Sequence, residues 1–557
     1  MATDGPNLAS TYEYVIVGGG IGGITLAARL HARLPEASIL VLEAGSDPST
    51  HELATSASTV SAVRSNADLT WQLPIEPCKG LGNRSSIAQV GKGLSGSGAV
   101  NSAAWTRGPA CDYDLWAHSV GDQGWSYESL LPYFKATECV RGMKINEDHH
   151  GYEGLIHVVP VKANWAKRTY PLRKAVQEAW AQSGVDYIED GNAGDPLGLT
   201  ELVEAWDEGK RQLPSKSFDL EGVDIVTDTL VHRVTFTQDQ GHEPRAKGVE
   251  LISGQHINAT KEVIVSAGVY HTPKILILSG IGDPQTLVAH SIPLVHGNPE
   301  VGNNLRDHLS VALTWKLKHP EIGLALGSPL LTDPSYANGA PLDFIQFGRV
   351  PTNLHTEMLL TSKEDKALVL RPKACHTESI LLYTYMGPHM SGVNVPMDGT
   401  YITTVTANLA PTSRGHVSIH SKDPQQPPKI DVNANDTEVD RHILREGLRN
   451  ISKVLHETPS GQSFIDSQVP PEGYPVLLPD SKDEAYDVRI RDFGFTLDHP
   501  MGTAAMGKVV DASCRVIGVN GLRVVDASVF PVPIAAHIQV AVYALAARAA
   551  DLIAKEQ

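Results

Sequence analysis

The sequence predicts an α/β protein of the doubly wound kind joined to a second domain, on three observations. A glycine-rich turn separates a short apolar run, Tyr14–Val17, from a stretch between Ile24 and Leu34 that carries apolar residues at helical spacing. A further apolar run, Ser38–Leu42, ends in an acid, Glu43. The chain has 557 residues, more than one ordinary core organises, so two closely joined domains are the default.

Each element follows from its residues. Tyr14–Val17 is apolar and partly β-branched without alternation, as a buried parallel strand requires. In the turn, Gly18-x-Gly20-x-x-Gly23, the first glycine allows the tight bend, the second lets backbone approach a pyrophosphate, and the third lets helix and strand pack closely. Amides at the helix start then face the phosphates, and Glu43 is placed to accept from a ribose diol. Together these residues form a βαβ dinucleotide site. NAD and FAD share the ADP half, so the motif leaves both open.

After Glu43 the chain is irregular to Leu69 and reaches Trp71. The run QVGKGLSGSGAVNSAAWTRG from Gln89 has five glycines between Gly91 and Gly108, framed by Val90, Leu94, Val100 and Trp105. It reads as backbone packed against something flat, such as a cofactor, more than as a linker. Trp116, Trp125, Tyr133 and Phe134 read as aromatic core and surface helix. His149, His150 and His157 lack a recognised ligand spacing and suit a loop followed by a strand better than a metal site. Asp224–Phe236 and Lys247–Ala267 alternate like strands; Lys261–Ser266 reads as buried strand, Ala267-Gly268 as a turn, and Thr272-Pro273 as the opening of a helix that Gly280 ends. The Pro-rich, polar section to about residue 490 has no dinucleotide features and is the candidate substrate domain. Near the end, Val524-Val525-Asp526 reads as a strand ending in an acid, and the last helix has His537 near its start. The apolar stretch Ile534–Ala554 is interrupted by His537, Gln539, Arg548 and Asp551, which suits a buried core helix better than a membrane span.

Composition narrows the function classes. With 46 basic against 63 acidic residues the net charge is −17, which argues against a nucleic-acid partner. Cys78, Cys111, Cys139, Cys375 and Cys514 are odd in number and scattered, against a disulfide framework or a zinc site. The polar lead before the first strand has no secretory signal, so the expectation is a cytoplasmic protein without membrane partners, unless a signal was trimmed. The sequons at Asn83, Asn258, Asn435 and Asn450 matter only if the protein is secreted.

The blocks YVIVGGGIGG with VLEAG, GKGLSGSGAVN, GVYHTPKILILSGIG, VGNNLRDH, HPMGTAAMG and GLRVVDASVFP stand in the order seen in the glucose–methanol–choline flavoprotein oxidoreductases. The resemblance runs from Tyr14 to Ile553. It implies FAD and an FAD domain assembled from residues 1–150, 221–310 and 491–557. It also implies an α+β substrate domain on a large antiparallel sheet, from residues 151–220 and 311–490. The chain departs from the family's pattern in Ser95-Gly96-Ser97-Gly98, where Gly-Gly-Ser-Ser is usual, and in Val269, where a small residue is usual. Asn101 falls where covalently linked members carry histidine, so non-covalent flavin is expected.

The implied reaction is oxidation of a small-molecule alcohol to a carbonyl, with oxygen or another acceptor taking the electrons. The protein must supply a base for the hydroxyl proton, and a histidine with pKa near neutrality suits that task. His499, in His-Pro-x-Gly-Thr, matches the family's catalytic histidine, and His537 the second position, which hydrogen-bonds the substrate oxygen. A helix N-terminus is expected to depress the pKa of His537 and keep it neutral. For the flavin the resemblance assigns Gly18, Gly20, Ile21, Gly22 and Gly23 to the pyrophosphate, Glu43 with Ala44 to the ribose region, and Val231 to the adenine. Gly91 and Asn101 fall along the isoalloxazine and ribityl chain, and Asp526 and Ala527 near the pyrophosphate. Trp71 and His308 are lesser candidates, and Tyr383, Tyr385 and His389 candidate pocket residues. The alternatives are a hydroxynitrile-type lyase with a structural flavin, a nicotinamide-dependent reductase, and a flavin-bound regulatory protein.

Overall fold

The computed structural model describes residues 9–143, 146–164, 168–237, 243–352, 359–360 and 362–556. Most of the polar lead before the first strand lies outside them. Two large sheets organise the described residues. The first has seven strands, in the order Val223–Val226, Ile39–Leu42, Thr11–Val17, His256–Val265, Arg245–Leu251, Val231–Thr237, with Leu522–Val524 also paired to His256–Val265. The pairings that lead from Val223–Val226 through Ile39–Leu42, Thr11–Val17 and His256–Val265 to Leu522–Val524 are parallel, whereas Arg245–Leu251 and Val231–Thr237 add an antiparallel extension. Tyr14–Ile16 and Ile39–Leu42 are buried on both faces, which explains their lack of alternation.

The helix Ile21–Arg33 leaves the glycine turn and packs against the last helix, Gln539–Lys555. Asp551 clamps the pair, accepting from Arg29 Nη2 at 2.8 Å and from Arg33 Nε at 3.0 Å.

The second sheet has eight strands. Seven stand in the order Ile465–Val469, Leu309–Leu317, Tyr401–Asn408, Thr377–Leu382, Phe344–Gly348, Gly198–Glu201, Tyr187–Ile188, and Phe495–Thr496 joins Leu309–Leu317. All of these pairings are antiparallel except that of Tyr187–Ile188 with Gly198–Glu201. Phe495–Thr496 belongs to the segment expected in the first domain, yet pairs into this sheet. The helix Glu438–Glu457 lies on the sheet, burying Ile443, Leu444, Leu448, Ile451 and Leu455, the stripe that its helical spacing dictates. A four-stranded sheet of Thr70–Cys78, Arg84–Gly91, His416–Ser418 and Lys429–Asp431 carries Trp71 and Gly91.

One helix differs from its expected start. It spans Gly268–Leu278, so Pro273 lies inside it and does not open it. Proline has no N–H to offer the carbonyl four residues back, that of Val269. Thr503 Oγ1 donates to that carbonyl at 2.6 Å, which removes the reason for the helix to begin later.

Trp116 and Trp125 stack in the core at 5.0 Å, and Phe134 is buried as well. His150 is buried between Glu138 and Asp190, while His157 meets Asp207. All five cysteines are free thiols. Among the described residues no helix is long and apolar enough to cross a membrane.

Candidate active site

A cavity of about 1370 Å³ opens at the glycine turn and reaches the eight-stranded sheet. Ordinary small-molecule pockets hold roughly 300–1,000 Å³, so there is room for a large cofactor together with a second molecule. Gly18, Gly20, Ile21 and Gly22 line one end. Gly18 has φ +107°, and a side chain there would strike the carbonyl of Ser266. A Cβ on Gly22 would lie 2.6 Å from the Val525 carbonyl oxygen, so only glycine lets helix and strand meet here. The helix is capped by Gly20 with no side-chain hydrogen bond and has no acid in its first turn. Its first N–H groups therefore remain for an anion, as a pyrophosphate requires. Gly23 does not line the cavity; it packs against Gly18, the role its motif position predicts.

Glu43 and Ala44 line the same end. The Glu43 carboxylate is buried and accepts from the amides of Gly19 (2.8 Å), Gly45 (2.8 Å) and Gly93 (3.1 Å). A carboxylate has about four acceptor sites, so one on Oε2 is left for a hydroxyl. Burial raises its pKa above the ordinary value, opposed by these amides. Val231, Asp526 and Ala527 also face the cavity. Asp526 accepts from Gly268 N at 2.9 Å, Thr272 Oγ1 at 2.6 Å and Ser528 N at 2.7 Å, which fixes the start of the Gly268–Leu278 helix. Trp71 lines the cavity beneath Lys92, whose ammonium is 4.8 Å from its ring. Gly91 and Asn101 lie along the middle. The Asn101 amide is held by Gln539, Arg211 and the amide of Ala103 at 2.8 to 3.0 Å.

At the junction with the eight-stranded sheet stand three histidines. The His499 and His537 rings meet edge to face with centroids 4.7 Å apart, and both line the cavity. His308 lies behind them, its Nδ1 3.0 Å from Nδ1 of His499. Asp307 positions both residues, accepting from the amides of His308 (2.7 Å) and His499 (2.9 Å), and its other oxygen takes the Thr496 hydroxyl. Burial pushes the Asp307 carboxyl up to about 6 against these donors.

The contact between His308 and His499 joins their two Nδ1 atoms, so one ring donates there and the other accepts. His308 Nε2 is buried without a hydrogen-bond partner, whereas His499 lines the cavity. Burial, then the neighbouring His537, His308 and Arg64, hold the His499 pKa well below the ordinary value, so the ring is neutral.

His537 departs from expectation. The helix begins at Gln539 after the cap Ile538, so His537 precedes it, and its N–H is taken by Thr106 Oγ1 at 2.8 Å. Its Nε2 lies 3.1 Å from Glu378 Oε1. Burial lowers its pKa, but the charge of Glu378 and then its hydrogen bond outweigh burial, and the pKa is raised, the reverse of the expected depression. With Nε2–H given to Glu378, a protonated His537 presents Nδ1–H as a donor. Two imidazoles with oppositely shifted pKa values thus stand edge to face at the cavity.

Tyr385 and His389 line the cavity, but Tyr383 does not. Tyr383 continues the opposite face of its strand, bonding Asp343 at 2.8 Å and packing on Tyr170. Sequence reasoning missed Glu378, Asp307 and Thr106. The signal for Glu378 was a lone acid in the strand TESILL, where an unpaired charge is too costly to bury.

Models of the GMC oxidoreductase family match residues 12–310 with the N-terminal part and residues 411–546 with the C-terminal part. The chain is 38% identical over 553 residues to the GMC-type oxidoreductase acuG of Aspergillus aculeatus, covering 98% of this chain and 99% of that one. It is 31% identical to the oxygen-dependent choline dehydrogenase of Escherichia coli strain K12, covering 97% and 95%. Among solved structures it is similar to a formate oxidase of Aspergillus oryzae studied for FAD modification, with TM-score 0.85, 27% identity, and 100% and 99% of the two chains covered.

Proposed function

We propose, from the premise that this chain belongs to the GMC oxidoreductase family, that it oxidises an alcohol to a carbonyl with His499 as the general base. The single observation that carries the reading is the facing pair: His499, its pKa held well below the ordinary value, and His537, its pKa raised by Glu378 at 3.1 Å.

The cofactor is FAD, and the residues present fit it: uncapped amides at the Ile21–Arg33 helix for the pyrophosphate, Glu43 for the ribose, Val231 for the adenine end, and Gly91 and Asn101 along the middle. Asn101 offers no imidazole for a covalent link, which supports a non-covalent flavin. When bound, FAD supplies a two-electron acceptor for the hydride of the carbinol carbon. His499 Nε2 takes the hydroxyl proton, and His537 Nδ1–H holds the oxygen as negative charge grows on it, a role served best by a donor already in place. Oxygen or another acceptor removes the electrons afterwards.

The test is the visible spectrum of the purified protein before and after anaerobic addition of alcohols. Bleaching of a bound flavin is expected, and His499→Ala should slow it by about 10²- to 10⁴-fold. An unimpaired variant would sink the assignment. The relatives named above are oxidoreductases, which gives the lyase reading no support.

A further inference from the structure

The geometry points to an uncharged, flat, apolar alcohol of the benzylic or allylic class as the substrate, lying on the eight-stranded sheet with its hydroxyl at the histidine pair. This inference rests on the reading that the pair oxidises an alcohol.

The floor of the cavity beyond the histidines is made by register. Ile345 pairs with Ile380, and Ile380 with Val405, so three apolar residues from adjacent strands form one row, and all three line the cavity. Along the middle strand, Glu378, Ile380 and Leu382 share a face because side chains alternate. Glu378 holds His537, and Ile380 and Leu382 lie about 7 and 14 Å farther along. A sheet face with a level row of branched side chains is flat. It begins where the reacting oxygen must sit. The walls repeat the chemistry: Leu342, Met386, Met390, Phe495 and Leu497 all face the cavity. Methionine sulfur packs well against aromatic rings and adapts to their outline.

The charged side chains that line the cavity do not favour a charged substrate, because each already has partners in the protein. Arg64 pairs with Asp498. Arg84 donates to the carbonyls of Leu81, Arg491 and Gly494, and Lys274 to those of Pro424 and Gln426. Glu43, Asp307 and Asp526 are satisfied by amides and hydroxyls as described above. Glu378, beside the pair, gives one oxygen to His537 and keeps the other buried. A polyhydroxylated sugar would strand its hydroxyls against Ile345, Ile380 and Val405. In the reaction a benzylic R–CH2OH gives its hydroxyl proton to His499 and its carbinol hydride to FAD. R–CHO is formed, the alcohol being oxidised and the flavin reduced by two electrons.

The test uses the FAD-loaded protein and five probes: benzyl alcohol, cinnamyl alcohol, choline, glucose and formate. Each is titrated anaerobically, following both bleaching and the perturbation of the oxidised flavin spectrum. Benzyl and cinnamyl alcohol are expected to bleach the flavin with at least tenfold higher second-order rate constants than the other three. Ile380→Asn is expected to raise the dissociation constant of benzyl alcohol at least tenfold while the bleaching rate at saturation changes little, the reverse of His499→Ala. Val405→Ala serves if that variant fails to fold and should shift the constant in the same direction. Faster bleaching by choline, glucose or formate overturns the substrate class and leaves flavin redox chemistry standing. Spectral perturbation by the benzylic and cinnamyl alcohols without bleaching supports the class and sinks the oxidation reading. No perturbation by either overturns the inference.

Discussion

At the residue scale the site turns on two histidines whose surroundings push them apart. His499 is surrounded by burial and by cationic or potentially cationic groups, whereas His537 has one carboxylate at 3.1 Å. The expected depression of the His537 pKa is reversed because the element that governs it is not the helix next in sequence but a strand 159 residues away. Removing that carboxylate's charge tests the assignment. Because the folded pKa of His537 is raised, its proton is present below about 6.5 and is lost as pH rises through the folded value. In Glu378→Gln the cause of the rise is gone, so the alkaline fall of kcat/KM should move to lower pH while the acid side keeps its position. An unmoved alkaline limb would remove Glu378 from the mechanism.

At the element scale, the Gly268–Leu278 helix shows how a sequence rule can be overridden by a distant side chain. Pro273 leaves the Val269 carbonyl without its helical donor, and Thr503, fully buried and from the same turn as His499, supplies the bond. Thr503→Val keeps the shape and removes the donor, leaving a buried acceptor unsatisfied, which should cost about 1–3 kcal/mol in denaturant melts. Unchanged stability would show that the helix start does not depend on that hydroxyl. The same helix start is held by Asp526, so the variant should also weaken retention of the cofactor on gel filtration.

At the scale of the molecule, what was legible in the sequence was what repeats locally. The Gly18–Gly23 turn, its flanking strand and helix, and the apolar run before Glu43 carry their own periodicity, so they could be placed before any contact was known. The eight-stranded sheet could not be placed in this way, because its order brings together strands from residue 187 to residue 496 and its register sets which side chains share a face. Tyr383 and Ile380 illustrate this: three positions apart, one faces Asp343 and the other the cavity. Whole-molecule stability should follow from the same burial. A histidine in the unfolded chain takes its proton near pH 6.5, while burial holds His308 down to about 3. Its contribution is therefore present above about pH 6.5 and is lost as pH falls toward 3. At pH 3.5 that loss amounts to about 4 kcal/mol. Melts at pH 7, 5 and 4 should show the decline, and His308→Asn should flatten it; equal slopes for the two proteins would contradict the account.

The strand Leu522–Val524 completes His256–Val265 on the side opposite Thr11–Val17, and Arg523 locks it through Glu262 at 2.7 and 2.8 Å. During synthesis the ribosome adds roughly 5–20 residues per second, so this strand emerges about 25–100 s after the first one. Until then the segment Val263–Val265 has one unpaired side, an edge open to any passing strand. His499, Asp526 and His537 also emerge long after the glycine turn. A nascent chain can form the glycine turn early but cannot yet hold the cofactor in a finished site. Loading therefore waits until the chain beyond residue 537 has been made.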